Sequence, residues 1–161
     1  MPEISTQPVL NQPKKDYHQP MHTAEHILNR TMDNLFKCGR CFSAHIEEKK
    51  SKCDYKFESE AQIPNQQQLQ RLENAVNAVI EQNLPVTWKI VSRAEAAKVC
   101  DLSKLPPDAS EMLRLVYVGD YDVCPCIGAH VENTSQIGRF KIISSSYSEG
   151  IFRLRWKLEK N

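Results

Sequence analysis

Ile151-Phe152-Arg153-Leu154-Arg155-Trp156-Lys157-Leu158 alternates apolar and charged side chains without a break. A period of two is the signature of a strand with one face in a core and the other toward water. Phe152, Leu154, Trp156 and Leu158 take the inner face, and Arg153, Arg155 and Lys157 make the outer face basic. Just upstream, Ile137 to Ile143 reads as a second strand, with Tyr147-Ser148-Glu149-Gly150 in the turn. The chain therefore closes on a hairpin.

Working back from that hairpin, Met112 to Val118 is an apolar strand reached through a Pro-rich connection, Leu105-Pro106-Pro107. Ser92 caps a short helix, Arg93 to Val99, and Val86 to Val91 is a strand candidate after Pro85. Asn65 is a good cap for a helix carrying Leu69, Leu72, Val76, Val79 and Ile80 at helical spacing. Phe42 to Ile46 and Cys53 to Phe57 read as two strands joined by a charged turn, Glu47 to Lys52. Cys38-Gly39-Arg40-Cys41 breaks a first helix, His22 to about Phe36, which Pro20 can start. Ala24, Leu28, Thr31 and Leu35 share one side of it, while His22 and His26 lie within about 40° of each other on the opposite side. Helices mixed with hairpin-linked strands give the α+β class: a two-layer fold with helices packed on a mainly antiparallel sheet. Residues 1–18 read as a mobile polar lead-in and 19–161 as one domain.

With 21 basic and 20 acidic residues the net charge is +1, which excludes a blanket nucleic-acid coat but not a local basic patch. No apolar run approaches a membrane span and the N-terminus lacks a signal pattern. The expectation is a cytoplasmic chain with no membrane partner and its six cysteines reduced.

Chemistry concentrates at two places. In His22-x-x-x-His26 the spacing is just over one helical turn, so both imidazoles can share one metal ion. An isolated pair of this kind is most often two solvated histidines. In Cys126-Ile-Gly-Ala-His130 a thiolate and an imidazole flank a glycine that permits a tight turn. Together these four would make a set of three nitrogens and one sulfur. A rival set joins Cys38-x-x-Cys41 to Cys124-Pro-Cys126 as a four-cysteine zinc site, and Cys38/Cys41 could also be a redox dithiol. The rival leaves both histidine pairs unexplained. Lys49, Lys50 and Lys52, and the Arg153, Arg155 and Lys157 face, are charge runs that are usually solvated and could contact phosphates.

His22-Thr-Ala-Glu-His26-Ile-Leu and Cys126-x-Gly-x-His130-Val, about a hundred residues apart, resemble the editing domain shared by alanyl- and threonyl-tRNA synthetases, with the freestanding alanyl-tRNA editing proteins of the AlaX type the nearest likeness. The resemblance extends to Ser43-Ala-His45-Ile, Asp54-Tyr-Lys-Phe57, Arg114-Leu-Val-Tyr-Val-Gly-Asp-Tyr-Asp122, Thr134 to Ile142 and Arg153-Leu-Arg155. It implies that Zn2+ sits on His22, His26, Cys126 and His130, and that the chain hydrolyses the ester of a wrong amino acid on tRNA, with zinc-activated water in place of an assigned catalytic side chain. It also places Arg40 to His45 along the amino-acid pocket, with Cys41 or Ser43 toward the substrate side chain. The turn here lacks one glycine and the threonine of the usual Cys-Gly-Gly-Thr-His.

The resulting expectation is a zinc-dependent deacylase of mischarged tRNA acting in translation fidelity, with Ser- or Gly-tRNA(Ala) as substrate and Arg153 and Arg155 as tRNA contacts. A non-catalytic zinc-stabilised RNA-binding module is the alternative, and a redox or structural protein built on the cysteines a third.

Overall fold

The C-terminal hairpin is the centre of the larger sheet. In the computed structural model, which describes residues 18–103, 105 and 110–160, β6 (Arg139–Ser148) and β7 (Ile151–Glu159) pair antiparallel from Arg139↔Glu159 to Ser148↔Ile151. The lead-in over residues 1–17 and the Pro106-Pro107 connection lie outside the described residues. The turn is tighter than the sequence suggests. Only Glu149 (φ 50°) and Gly150 (φ 83°) lie between the strands, both left-handed, the combination that follows the twist of a two-residue hairpin. Strand β6 also runs beyond Ile143. The register slips between Ile142 and Ser144, leaving Ile143 as an exposed bulge, and the serine-rich remainder stays paired to β7. Polar serines hide this half of the strand from a hydrophobic reading.

On the other side of β7 lies β2 (Ser51–Lys56), and beyond it the short edge strand β1 (Ser43–His45), giving the order β1-β2-β7-β6. Cys53, Tyr55, Phe152, Leu154 and Trp156 point inward and are buried. Helices α1 (Gln19–Phe36) and α2 (Gln66–Ile80) belong to the same core. Asn65 caps α2, accepting from Gln68 N while the Gln68 side chain accepts from Asn65 N. Asn77 clips α2 to the sheet: its Nδ2 donates to Phe140 O (2.9 Å) and its Oδ1 accepts from Phe140 N (2.8 Å). Replacing Asn77 with Leu strands both buried backbone groups. The expected loss is about 2 kcal/mol of unfolding free energy, read by urea denaturation at unchanged m-value.

A second, smaller sheet has the order β3-β4-β5, from β3 (Val86–Ser92), β4 (Met112–Val118) and β5 (Asp122–Pro125). All pairings in both sheets are antiparallel, so the architecture is α+β with two sheets rather than one. One face of the small sheet (Val91, Leu113, Leu115) packs on Ala96 of α3 (Arg93–Ala96), which is shorter than the sequence suggests. Residues alternate faces along a strand. Val118, Val116, Asp122 and Cys124 therefore share the opposite face, and Val118 enters the main core.

Helix α1 lies between the two sheets, touching β4 and β5 as well as α2. This overturns the simple stripe read from its sequence. His22, Thr23, His26, Asn29 and Thr31 are buried alongside Met21, Ala24, Ile27, Leu28 and Met32, whereas Leu35 is 46% exposed. The side carrying the histidines faces the small sheet instead of water. Among the described residues no helix is long and apolar enough to cross a membrane.

Candidate metal centre

The helical spacing of His22 and His26 aims both rings at the loop that follows β5, and that loop carries Cys126 and His130. The metal-ligating atoms of these four residues all lie within 4.8 Å of one another. The sulfur is the hub: Cys126 Sγ is 3.4 Å from His22 Nε2 and 3.4 Å from His130 Nε2. The three rings crowd around it with centroids 5.1, 4.1 and 4.5 Å apart. Zinc binds nitrogen at about 2.0–2.1 Å and sulfur at about 2.3 Å, so a tetrahedral site needs nitrogen and sulfur roughly 3.5 Å apart. The observed separations fit that requirement, and three imidazoles with one thiolate are a donor set suited to zinc.

The far side of each ring is also held. His22 Nδ1 donates to Ala129 O (3.0 Å), which turns Nε2 toward the sulfur. His130 Nδ1 meets Thr23 Oγ1 (2.9 Å), and the same hydroxyl accepts from Val131 N (3.2 Å). Such outer partners fix the tautomer and aim of a ligating histidine. Thr23→Val keeps the shape and removes the hydroxyl. It should weaken zinc binding roughly tenfold, measured by competition with a chromogenic chelator.

Residues 113–155 match the family model described as the threonyl and alanyl tRNA synthetase second additional domain. The alanine–tRNA ligase of Fervidobacterium nodosum is 32% identical over 135 residues, covering 83% of this chain and 15% of the ligase. That of Leuconostoc citreum is 30% identical over 125 residues, covering 78% and 14%. That of Aeropyrum pernix is 40% identical over 91 residues, covering 55% and 10%. Residues 113–155 carry the second-additional-domain match, and the chain is related to alanine–tRNA ligases. It spans a small part of the length of the ligases it matches.

A further residue, to which the sequence alone gives no role, organises the centre. Asp122 is buried on the face of β5 turned toward α1, with no exposed side-chain surface. It accepts from Arg30 Nε (3.0 Å), Arg40 Nη1 (2.8 Å) and Arg40 Nη2 (3.2 Å). Its Oδ2 is 3.6 Å from His26 Nδ1, an ion-pair contact. Burial disfavours its charge, but His26 and Arg40 outweigh burial and hold the carboxyl below the usual range. The same balance acts on the sulfur: burial opposes the thiolate, and His130, His22 and His26 together bring Cys126 down to about 2. Burial likewise opposes charge on His26, yet Asp122 and the Cys126 sulfur raise it well above the ordinary histidine range. Burial lowers His130 to about 4. The signal that could have revealed Asp122 is its parity: Asp122 and Cys124 share a face of β5, and Cys126 continues the alternation just past its end.

The four-cysteine set does not come together. Cys126 joins the histidines, Cys38 donates weakly to Met32 O (3.8 Å) and Gly39 O (3.4 Å), and Cys41 lies with Glu25 and Cys53 in a second group within 4.8 Å. That second group borders the first, since Glu25 feels His26, His22 and Cys126; burial raises its carboxyl. Cys41 is thus close to the centre. Ser43 is not: it pairs with Asp54 in β1 on the outer face of the large sheet, and is exposed. Arg153 lies on the outer face of the large sheet. It forms a two-pronged pair with Asp54 (2.7 and 2.9 Å), whose carboxyl is lowered chiefly by that contact, so its guanidinium is already engaged. Arg155 reaches only Ser144 Oγ at 3.5 Å.

Proposed function

We propose that the chain is a zinc-dependent hydrolase that removes mischarged amino acids from tRNA, with serine or glycine on tRNA(Ala) as substrate. The observation that carries this reading is the convergence of three histidine nitrogens on the Cys126 sulfur, in a chain related to alanine–tRNA ligases. His22, His26, Cys126 and His130 would hold the metal. Zinc bound there supplies Lewis acidity toward an ester carbonyl and water.

The chain's own residues do the rest. Asp122 faces the Nδ1 side of the His26 ring and fixes Arg30 and Arg40 beside the centre. Thr23 and Ala129 keep His130 and His22 in one orientation. Cys41, next to Glu25, offers a thiol where a substrate side chain would sit, and a hydroxyl there gains a partner that alanine cannot use. Ser43 lies on the outer face of the large sheet. On the outer face of the large sheet, Lys52, Arg155 and Lys157 lie in neighbouring register positions and are suited to phosphates. Arg153 serves that face through Asp54. The direct experiment is release of labelled serine or glycine from tRNA(Ala) by zinc-loaded protein, with Ala-tRNA(Ala) as the control.

A further inference from the structure

We propose that Trp88 and Arg114 form a stacking platform for the unpaired terminal base of an RNA 3′ strand, beside the histidine–cysteine centre. The inference rests on the deacylase reading for its biological setting, but its chemistry stands on residues outside the metal centre.

Trp88 is 59% exposed on β3, the edge strand of the small sheet, a costly place for an indole without a partner. The Arg114 guanidinium sits 5.3 Å from its ring centroid. Arg114 Nε is itself buried and makes no hydrogen bond among the described residues. Register fixes where this pair lies. Trp88 is opposite Val116, and Val116 is opposite Cys124, so the three share one face. Arg114, two residues before Val116, is on that face too, and its carbonyl accepts from Cys126 N (3.0 Å). The platform and the metal ligand are therefore adjacent positions on one pleated surface. At about 4.8 Å per strand, Trp88 lies roughly 10 Å across the sheet from Cys124. That is a span one nucleoside bridges when its ribose ester is presented to the centre.

The chemistry selects the occupant. An indole backed by a guanidinium offers a π face to a base and a cation to its phosphate. Stacking of splayed bases on aromatic and arginine planes is how unpaired RNA ends are held. A protein partner would favour a contiguous exposed apolar patch, and here the same-face neighbours Val86 and Ile90 are partly buried and Val116 is buried, which leaves a single exposed indole.

The chain has two tryptophans, and Trp156 is fully buried, so a ligand-induced change in exposed indole emission reports Trp88. The probe is a non-aminoacylated RNA minihelix ending in single-stranded CCA, compared with one lacking the terminal adenosine. The complete RNA should quench Trp88 emission. By anisotropy with labelled RNA, Trp88→Ala should bind it roughly tenfold more weakly and Trp88→Phe should retain most affinity. Removing the adenosine should weaken wild type by a similar factor and leave Trp88→Ala nearly unaffected. Unchanged emission, or equal affinity of wild type and Trp88→Ala for the complete RNA, overturns the platform. So does a wild-type dimer that Trp88→Ala dissociates in sedimentation, which would assign the face to a second copy. Stacking without any deacylation would defeat the hydrolase reading and leave the platform standing.

Discussion

Cys126→Ser and His26→Ala will each lose bound zinc and at least about a hundredfold of hydrolytic activity, because a metal contributes several kcal/mol of transition-state stabilisation. The sulfur is the point on which His22 and His130 converge, and removing it leaves no common centre for their nitrogens. His26 is equally exposed to loss, since its ring is buried and its opposite nitrogen faces a carboxylate that no solvent screens. Cys38→Ala is the matched control. Its thiol lies against the backbone oxygens of Met32 and Gly39, apart from the four clustered residues, so metal content and activity should stay at wild-type levels. Metal analysis of the purified variants, beside their rates, separates this centre from the four-cysteine alternative: retention in His26→Ala with loss in Cys38→Ala would reverse the assignment.

Asp122→Ala should be the most damaging substitution for the fold. It removes a fully buried carboxylate that balances buried His26 and the partly buried Arg30 and Arg40. Breaking a buried ion pair by deleting one partner costs about 3–5 kcal/mol, a large part of the stability of a small domain. Asp122→Asn keeps some hydrogen bonds and should fall between. Wild type should show the corresponding pH dependence. The folded carboxyl titrates below the usual range, so its stabilising contribution is complete above about pH 4, the unfolded value. It is lost as the pH falls further toward the folded value. Urea midpoints should drop below pH 4 in wild type, with a shallower drop in Asp122→Asn.

How far the sequence alone could reach follows from what kind of signal each element carries. The β7 alternation, the Asn65 cap and the apolar run of β4 are local patterns, and each element appears where those patterns predict it. Strand β5 has no such pattern. Its four residues, Asp122–Pro125, include a carboxylate, a cysteine and a proline, and β4 alone makes them a strand. The second half of β6 is likewise held by its partner and not by its own serines. The positions of the four clustered residues were legible because helical spacing and a short loop are also local. Their supporting shell was not. Thr23 meets His130 across 107 residues, Asp122 meets His26 across 96 and Arg40 meets Asp122 across 82, distances over which no periodicity speaks. Helix α1 misled for the same reason: a second sheet covers the side that its polar residues seemed to leave to water.

The central claim is that this centre cleaves the ester of a mischarged tRNA. Zinc-loaded and chelator-stripped protein should be incubated with tRNA(Ala) charged with serine, glycine or alanine, and with tRNA(Thr) charged with serine, while release of labelled amino acid is followed. The account predicts zinc-dependent release of serine or glycine from tRNA(Ala), with Ala-tRNA(Ala) largely spared. Release no faster than in the stripped control, for every charged tRNA in the panel, would contradict it.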